Sequence, residues 1–297
     1  MLYVPANSWR MITNAAGEGA DAVILDLEDA CPMGEKETGR VFARDAIPAL
    51  KEQGVDVFVR VNSLETGLTE TDIDYVAVPG IAGIMLAKTE TKEHVTAVDE
   101  MLRKQEKDRG MEPGSIELVA LIETPVGIVN LRDIITASKR LVAVGFGAGD
   151  YSREMGAGMG VTGIAPDELF TMLLYARCAI ATTARAFGIQ AIDTPFFGLV
   201  IDLDGVARET GKVKLLGFCG KQVTHPRHVA AVNKAFTPAA AEVELAQRVV
   251  DAYRKAREQG LGATTLGGKM IDFGSFKRAE SLLALGDIIR EKDKRRA

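Results

Sequence analysis

Eight short apolar runs, each followed by a stretch of helical character, constrain this chain more than any other feature. The strand candidates are Leu2–Pro5, Ala22–Leu27, Val57–Asn62, Gly83–Lys88, Glu117–Ile122, Leu141–Phe146, Gln190–Asp193 and Gly220–Thr224. They are almost continuously apolar instead of alternating, as expected of parallel strands covered by helices on both faces. Helical patterns fill the intervals, among them Trp9–Glu18, Lys36–Gln53, Lys92–Arg109, Gly127–Ser138 and Pro166–Phe187. The alternation predicts an α/β fold, a (β/α)8 TIM barrel, with a doubly wound open sheet as the rival. The 297 residues suit one such barrel, expected over residues 1–237, and a C-terminal helical extension over 238–297. In that extension a helix over Pro238–Gln259 and a last one near Phe276–Glu291 flank a Gly-rich loop, Gly260–Gly268.

Several function classes drop out. The formal charge of -5, with basic and acidic residues interspersed, offers no footprint for nucleic acid. Cys31, Cys178 and Cys219 form no Cys-x-x-Cys pair, so neither a disulfide framework nor a zinc site is expected, and a reducing cytoplasm fits. No stretch reads as a signal peptide or membrane span, and the chain is expected to be soluble and unprocessed. The charged tail from Arg290 to Arg296 reads as a solvated, frayed end. Serine-hydrolase elbows and Walker loops are absent from the sequence.

In a parallel barrel the chemistry sits at the carboxyl ends of the strands. Polar residues there are Glu28 and Asp29, Arg60 and Asn62, Lys88 and Glu90, Glu123, Asp150 and His225. Glu123 leaves a wholly apolar strand, and the following Thr124-Pro125 already supplies a helix cap and first-turn proline, so its carboxylate is free to bind a ligand. Asp150 follows Gly145-Phe146-Gly147-Ala148-Gly149 and, alone, reads equally well as a turn residue. Two carboxylates without a protein cage suit Mg²⁺, whose other positions go to water and substrate oxygens. The backbone of Gly147, Ala148 and Gly149 could approach a bound carboxylate, although the spacing is not a dinucleotide fingerprint. Arg60, inside an apolar strand, is either ion-paired structurally or a fork for a carboxylate or developing oxyanion. Glu28 and Asp29 are expected to partner Arg60, Lys88 or metal-bound water. His94 reads as solvent-facing, and histidine ligation of a metal is not expected.

The motifs together resemble the citrate lyase β-subunit-like family, with its malyl-CoA and citramalyl-CoA lyases, in the Mg²⁺-dependent (β/α)8 aldolase superfamily. The matching stretches are Leu2-Tyr3-Val4-Pro5-Ala6 with Arg10, Gly19–Ala30, Val59-Arg60-Val61-Asn62, Leu121-Ile122-Glu123-Thr124-Pro125, Phe146–Tyr151, His225-Pro226 and Lys269-Met270-Ile271-Asp272. The resemblance implies Glu123 and Asp150 as Mg²⁺ ligands and Arg60 as the substrate-contacting arginine. It also implies Asp272 as the acid/base at the acetyl carbon, often reaching a neighbouring subunit's barrel on a mobile arm. The implied reaction cleaves a 3-hydroxyacyl thioester of the citryl-, malyl- or citramalyl-CoA type to an acetyl thioester and a small 2-oxo acid. The implied assembly is a homo-oligomer, trimer or hexamer. The acyl group and the choice between CoA and acyl carrier protein stay open, and Ala87 stands where many relatives carry proline. Two alternatives are a citrate lyase β subunit acting on a carrier-bound acyl group within a complex, and a pyruvate-type aldolase acting on a free hydroxy-oxo acid. Relatives of the latter kind typically carry a histidine after the second strand, where this chain has Glu28-Asp29-Ala30.

Overall fold

The computed structural model of the protein describes residues 1–156 and 166–296. The chain divides into two units, Met1–Asn233 and Lys234–Ala297.

The first unit is built on eight parallel strands in the order of the sequence: β1 (Leu2–Pro5), β2 (Ala22–Asp26), β3 (Asp56–Val61), β4 (Gly83–Leu86), β5 (Glu117–Ile122), β6 (Leu141–Phe146), β7 (Gln190–Asp193) and β8 (Gly220–Lys221). Just past β8, Val223 forms a parallel bridge with Leu2. It accepts from the Tyr3 N–H at 2.9 Å and donates to the Met1 carbonyl at 2.9 Å, so the last strand's continuation meets the first. The result is a curled, barrel-like α/β sheet rather than an open doubly wound one.

Both faces of the strands are buried, which explains their unbroken apolar character. Ala22, Ile24, Phe58, Met85, Val119, Leu121, Ala143 and Ile192 form one interior cluster, with Tyr3 packed against it. The alternate residues, such as Val23, Leu25, Val57, Val59, Ile84 and Leu118, are also fully buried. Side chains alternate along a strand, so a residue two positions beyond an interior one faces inward again, one layer higher. That period carries Ile24 to Asp26, Phe58 to Arg60 and Leu121 to Glu123, placing three charged residues directly above the apolar filling.

The helix after β5 starts as the sequence suggests: Thr124 caps it, its hydroxyl accepting from the Gly127 N–H at 3.1 Å, and Pro125 opens it. It breaks at Asn130 into Pro125–Val129 and Leu131–Thr136. The break leaves the Asn130 side chain free to donate to the Glu90 carbonyl at 2.9 Å. Among the described residues no helix is long and apolar enough to cross a membrane.

The second unit holds two helices, Ala240–Glu258 and Phe273–Arg296, joined through β9 (Thr264–Leu266) and β10 (Lys269–Ile271). Here the expectation of a plain Gly-rich loop over 260–268 is corrected. The two strands pair antiparallel around Gly267-Gly268, whose φ angles of 58° and 78° suit a two-residue primed turn that only glycine adopts without cost. The charged tail continues the last helix, through Arg296.

Candidate active site

The inward layer above the barrel filling is built around Arg60. Its guanidinium donates from Nε and Nη2 to the two oxygens of Asp26 at 2.7 and 2.6 Å, and Nη1 meets the Glu28 carboxylate at 2.9 Å. The same group lies over the Tyr3 ring, 4.9 Å from its centroid. Burial alone would lower its pKa, but Tyr3, Asp26 and Glu28 raise it well above the ordinary arginine value. The ion-paired reading of Arg60 holds: Asp26 and Glu28 together fix the plane of its guanidinium fork.

Glu28 is shared. Its other oxygen accepts from the Lys88 ammonium at 2.6 Å. Asp29, next to it, is exposed and contributes its backbone N–H to Glu28 at 3.2 Å. Lys88 has a φ of 49°, the only positive value outside glycine among the described residues. This sparsely populated conformation costs on the order of 1–3 kcal/mol and is retained where surroundings over-determine it. It lets one residue serve two carboxylates, because the Lys88 N–H also donates to Glu123 Oε1 at 2.6 Å.

Glu123 is only 3% exposed. Burial pushes its carboxyl up to about 8; Glu28 and Asp150 push the same way, against Arg60 and the Lys88 N–H. Asp150 stands in the first turn of the helix Ala148–Glu154 and is paired to the exposed Arg153 at 2.5 Å. The glycine before that helix makes the approach possible: a Cβ on Gly147 would lie 2.5 Å from Glu123 Cβ and Oε2.

The expected cradle of backbone donors is corrected in part. The Gly147 N–H donates to the Ile122 carbonyl at 2.9 Å and the Ala148 N–H to the Thr194 hydroxyl at 3.2 Å, so neither is open to a ligand. Gly147 admits Glu123 instead. One further expectation changes. His94 is half-buried, its Nε2 3.3 Å from Glu65 and its Nδ1 accepting from the Glu90 N–H at 3.4 Å. His225 turns its Nδ1 to the Arg227 N–H at 3.1 Å, at the start of the helix Arg227–Phe236. Asp272 lies in the second unit, where it caps the helix Phe273–Arg296 by accepting from the Ser275 N–H at 2.8 Å. That contact and the Ser275 hydroxyl hold its carboxyl below the usual range.

Sequence reasoning missed Tyr3 and Gln222. The Tyr3 hydroxyl donates to Gln222 Oε1 at 2.7 Å, and Gln222 Nε2 donates to the carbonyls of Phe146 and Asp193 at 3.0 and 3.2 Å. Burial pushes the Tyr3 phenol far above its ordinary value, so it serves as a neutral donor. Their inward parity was the available signal, since Tyr3 and Gln222 occupy the same face as Ile24 and Ile192.

Among the described residues no three His, Cys, Asp or Glu side chains converge as a metal cage. Glu123 and Asp150 remain as a pair of hard oxygen donors, and the Asp150 charge helps to raise the proton affinity of Glu123, an arrangement that a divalent cation relieves. The donor set fits Mg²⁺, which takes one or two carboxylates and keeps its other positions for water and substrate.

The model of the HpcH/HpaI aldolase/citrate lyase family matches residues 1–226. The chain belongs to this family. The family member "Citrate lyase subunit beta" from Haemophilus influenzae is 36% identical over 285 residues, covering 95% of this chain and 94% of that one. The "L-malyl-CoA/beta-methylmalyl-CoA lyase" of Cereibacter sphaeroides is 32% identical, covering 97% and 94%. A solved CitE structure from Mycobacterium tuberculosis, in complex with magnesium, acetoacetate and coenzyme A, superposes with a TM-score of 0.74 at 28% identity, over 96% of this chain and 97% of that one. These family members are lyases, and the resemblance read from the motifs stands.

Proposed function

We propose that this protein is a Mg²⁺-dependent carbon–carbon lyase that cleaves a 3-hydroxyacyl-CoA thioester of the malyl, citramalyl or citryl type to an acetyl thioester and a 2-oxo acid. The observation that carries the reading is the layer above the barrel filling, where a fixed guanidinium, Arg60, shares one polar cluster with the desolvated Glu123, whose carboxyl also feels the charge of Asp150. The magnesium, acetoacetate and coenzyme A of the M. tuberculosis relative match that combination in kind.

Glu123 and Asp150 would hold the ion, which when bound supplies a Lewis acid for the hydroxy-acid oxygens and the carbonyl that forms. Arg60 spends its remaining N–H groups on the substrate's carboxylate or developing oxyanion, pre-aimed by Asp26 and Glu28. As the hydroxyl gives its proton to solvent water, the C–C bond breaks and its electron pair passes into the thioester enolate, which must then take a proton at carbon. We assign that proton to Asp272 of a neighbouring copy in a homo-oligomer, with residues 1–237 closed as a (β/α)8 barrel and 238–297 as its helical extension. In the free chain the Asp272 carboxyl is a poor acid donor because Ser275 stabilises its ionised form. Burial in a second barrel's mouth would raise its pKa and suit it to the task.

The test is a panel of malyl-, citramalyl- and citryl-CoA incubated with purified protein, with Mg²⁺ or with chelator, following acetyl-CoA and 2-oxo acid release. One thioester should be cleaved in the presence of Mg²⁺ and none in chelator. Cleavage unaffected by chelator, or of none of the three, would overturn the reading.

A further inference from the structure

Behind the site, the Lys36 side chain is 7% exposed and ends on three neutral oxygens. Its ammonium donates to the carbonyls of Leu27 and Glu28 at 2.6 and 2.7 Å and to Asn62 Oδ1 at 2.8 Å. Three donors meet three acceptors, so the group is saturated without touching a carboxylate. Lys221, more deeply buried still, shows the contrast: its ammonium sits on Asp193 and Glu209 at 2.6 and 2.7 Å, an ordinary buried ion pair. An ammonium is costly to desolvate, and three neutral partners offset this less well than an acid does. What Lys36 holds is therefore informative.

It holds the exit of β2 against the exit of β3. Asn62 is itself fixed, its side-chain and backbone N–H groups donating to Asp72 at 2.6 and 2.9 Å, and Asp72 accepts from Arg40 at 2.7 Å. On the other side stands Glu28, whose carbonyl Lys36 grips and whose carboxylate meets Arg60 at 2.9 Å and Lys88 at 2.6 Å. The Lys88 N–H in turn holds Glu123. A shift of the Glu28 backbone would thus be felt by Arg60 and, through Lys88, by Glu123.

We propose that Lys36 is a positioning residue of this active site: by clamping the Leu27 and Glu28 carbonyls to Asn62, it sets the Glu28 carboxylate that aims Arg60 and Lys88. The inference rests on the reading that Arg60 faces the reacting substrate. It makes two demands that a merely structural lysine does not. First, Lys36→Met should lower kcat by about 10²-fold, as for a misplacement of about 1 Å, while KM for the thioester changes by less than about 3-fold. Second, the loss should pass through Glu28: Lys36→Met added to Glu28→Gln should cost no more than about 3-fold beyond Glu28→Gln alone, because the two act along one line.

Full additivity in that cycle, or a folded Lys36→Met enzyme within about 2-fold of wild-type kcat, overturns the proposal. If Lys36→Met does not fold, the same cycle is run with Lys36→Gln, which keeps an amide donor for the two carbonyls. A crystal structure of the variant supplies a readout independent of turnover: the Glu28–Arg60 contact should be broken or displaced by about 1 Å, and its retention in place counts against Lys36. An inactive wild type would instead refute the proposed reaction, leaving the structural comparison to decide the role of Lys36.

Discussion

Gly147→Ala is the sharpest perturbation the site offers. At this position φ is -103°, so alanine meets no backbone objection and the entire effect is steric. The added methyl would lie 2.5 Å from both Cβ and Oε2 of Glu123. Ordinary carbon contact is about 3.5–4.0 Å, so the two groups must separate by about 1 Å. Glu123 has little room to yield, because Cβ moves only with its backbone and Oε1 is held by the Lys88 N–H at 2.6 Å. Overpacking of this kind costs about 1–3 kcal/mol. A displacement of about 1 Å at a group proposed to bind metal should lower kcat/KM by about 10²-fold. The neighbouring Gly149→Ala is the control, since its methyl would find only the Phe197 ring at 3.9 Å. Thermal unfolding and Mg²⁺ titration calorimetry on the two variants check both halves. Gly147→Ala should melt lower and bind Mg²⁺ weakly, and Gly149→Ala should match wild type within experimental scatter. Equal behaviour of the two variants would refute the claim that Gly147 exists to admit Glu123.

Four further outcomes follow from the same geometry. A carboxyl with a pKa of about 8 keeps its proton at pH 7, so Mg²⁺ binding there should release about nine-tenths of a proton, falling to about a tenth at pH 9. Calorimetry in buffers of different ionisation enthalpy measures this, and Glu123→Gln should abolish both the release and the binding. Arg60→Lys keeps the charge but cannot bridge Asp26 and Glu28 together, so kcat/KM should fall about 10²-fold or more, and an unchanged value would reduce Arg60 to a structural pair. Arg153→Ala removes an exposed competitor for Asp150 and should tighten Mg²⁺ binding by about 1.4- to 5-fold, the equivalent of a surface pair worth about 0.2–1 kcal/mol. Asp272→Asn and Glu123→Ala should each be inactive, yet mixing them under demonstrated subunit exchange should restore activity; no recovery would mean that Asp272 does not act in a neighbour's site.

Much of this was legible in the residues because it depended on local pattern. Unbroken apolar runs announced strands covered on both faces, and Thr124-Pro125 announced the helix that leaves Glu123 free. What the sequence could not display was pairing between distant elements. Arg60 reads as either ion-paired or a fork for substrate, with Glu28 among its candidate partners, and only the fold shows that it also grips Asp26, 34 residues earlier, through both carboxylate oxygens. Tyr3 and Gln222 meet only because the sheet curls until its last strand's continuation reaches its first. Lys36 reads as the opening residue of an amphipathic helix, and nothing local reveals that its ammonium ends between two strand exits. The hairpin at Gly267-Gly268 was within reach, since paired glycines between short β-capable runs are a turn signal, but the surrounding glycines masked it.

The most direct test is anomalous diffraction from crystals soaked with Mn²⁺ in place of Mg²⁺, together with a 2-oxo acid such as pyruvate. The account predicts one strong anomalous peak coordinated by the carboxylates of Glu123 and Asp150, with Arg153 withdrawn from Asp150 and the pyruvate carboxylate within hydrogen-bonding reach of Arg60. A peak held by other residues, or pyruvate bound away from Arg60, would contradict it.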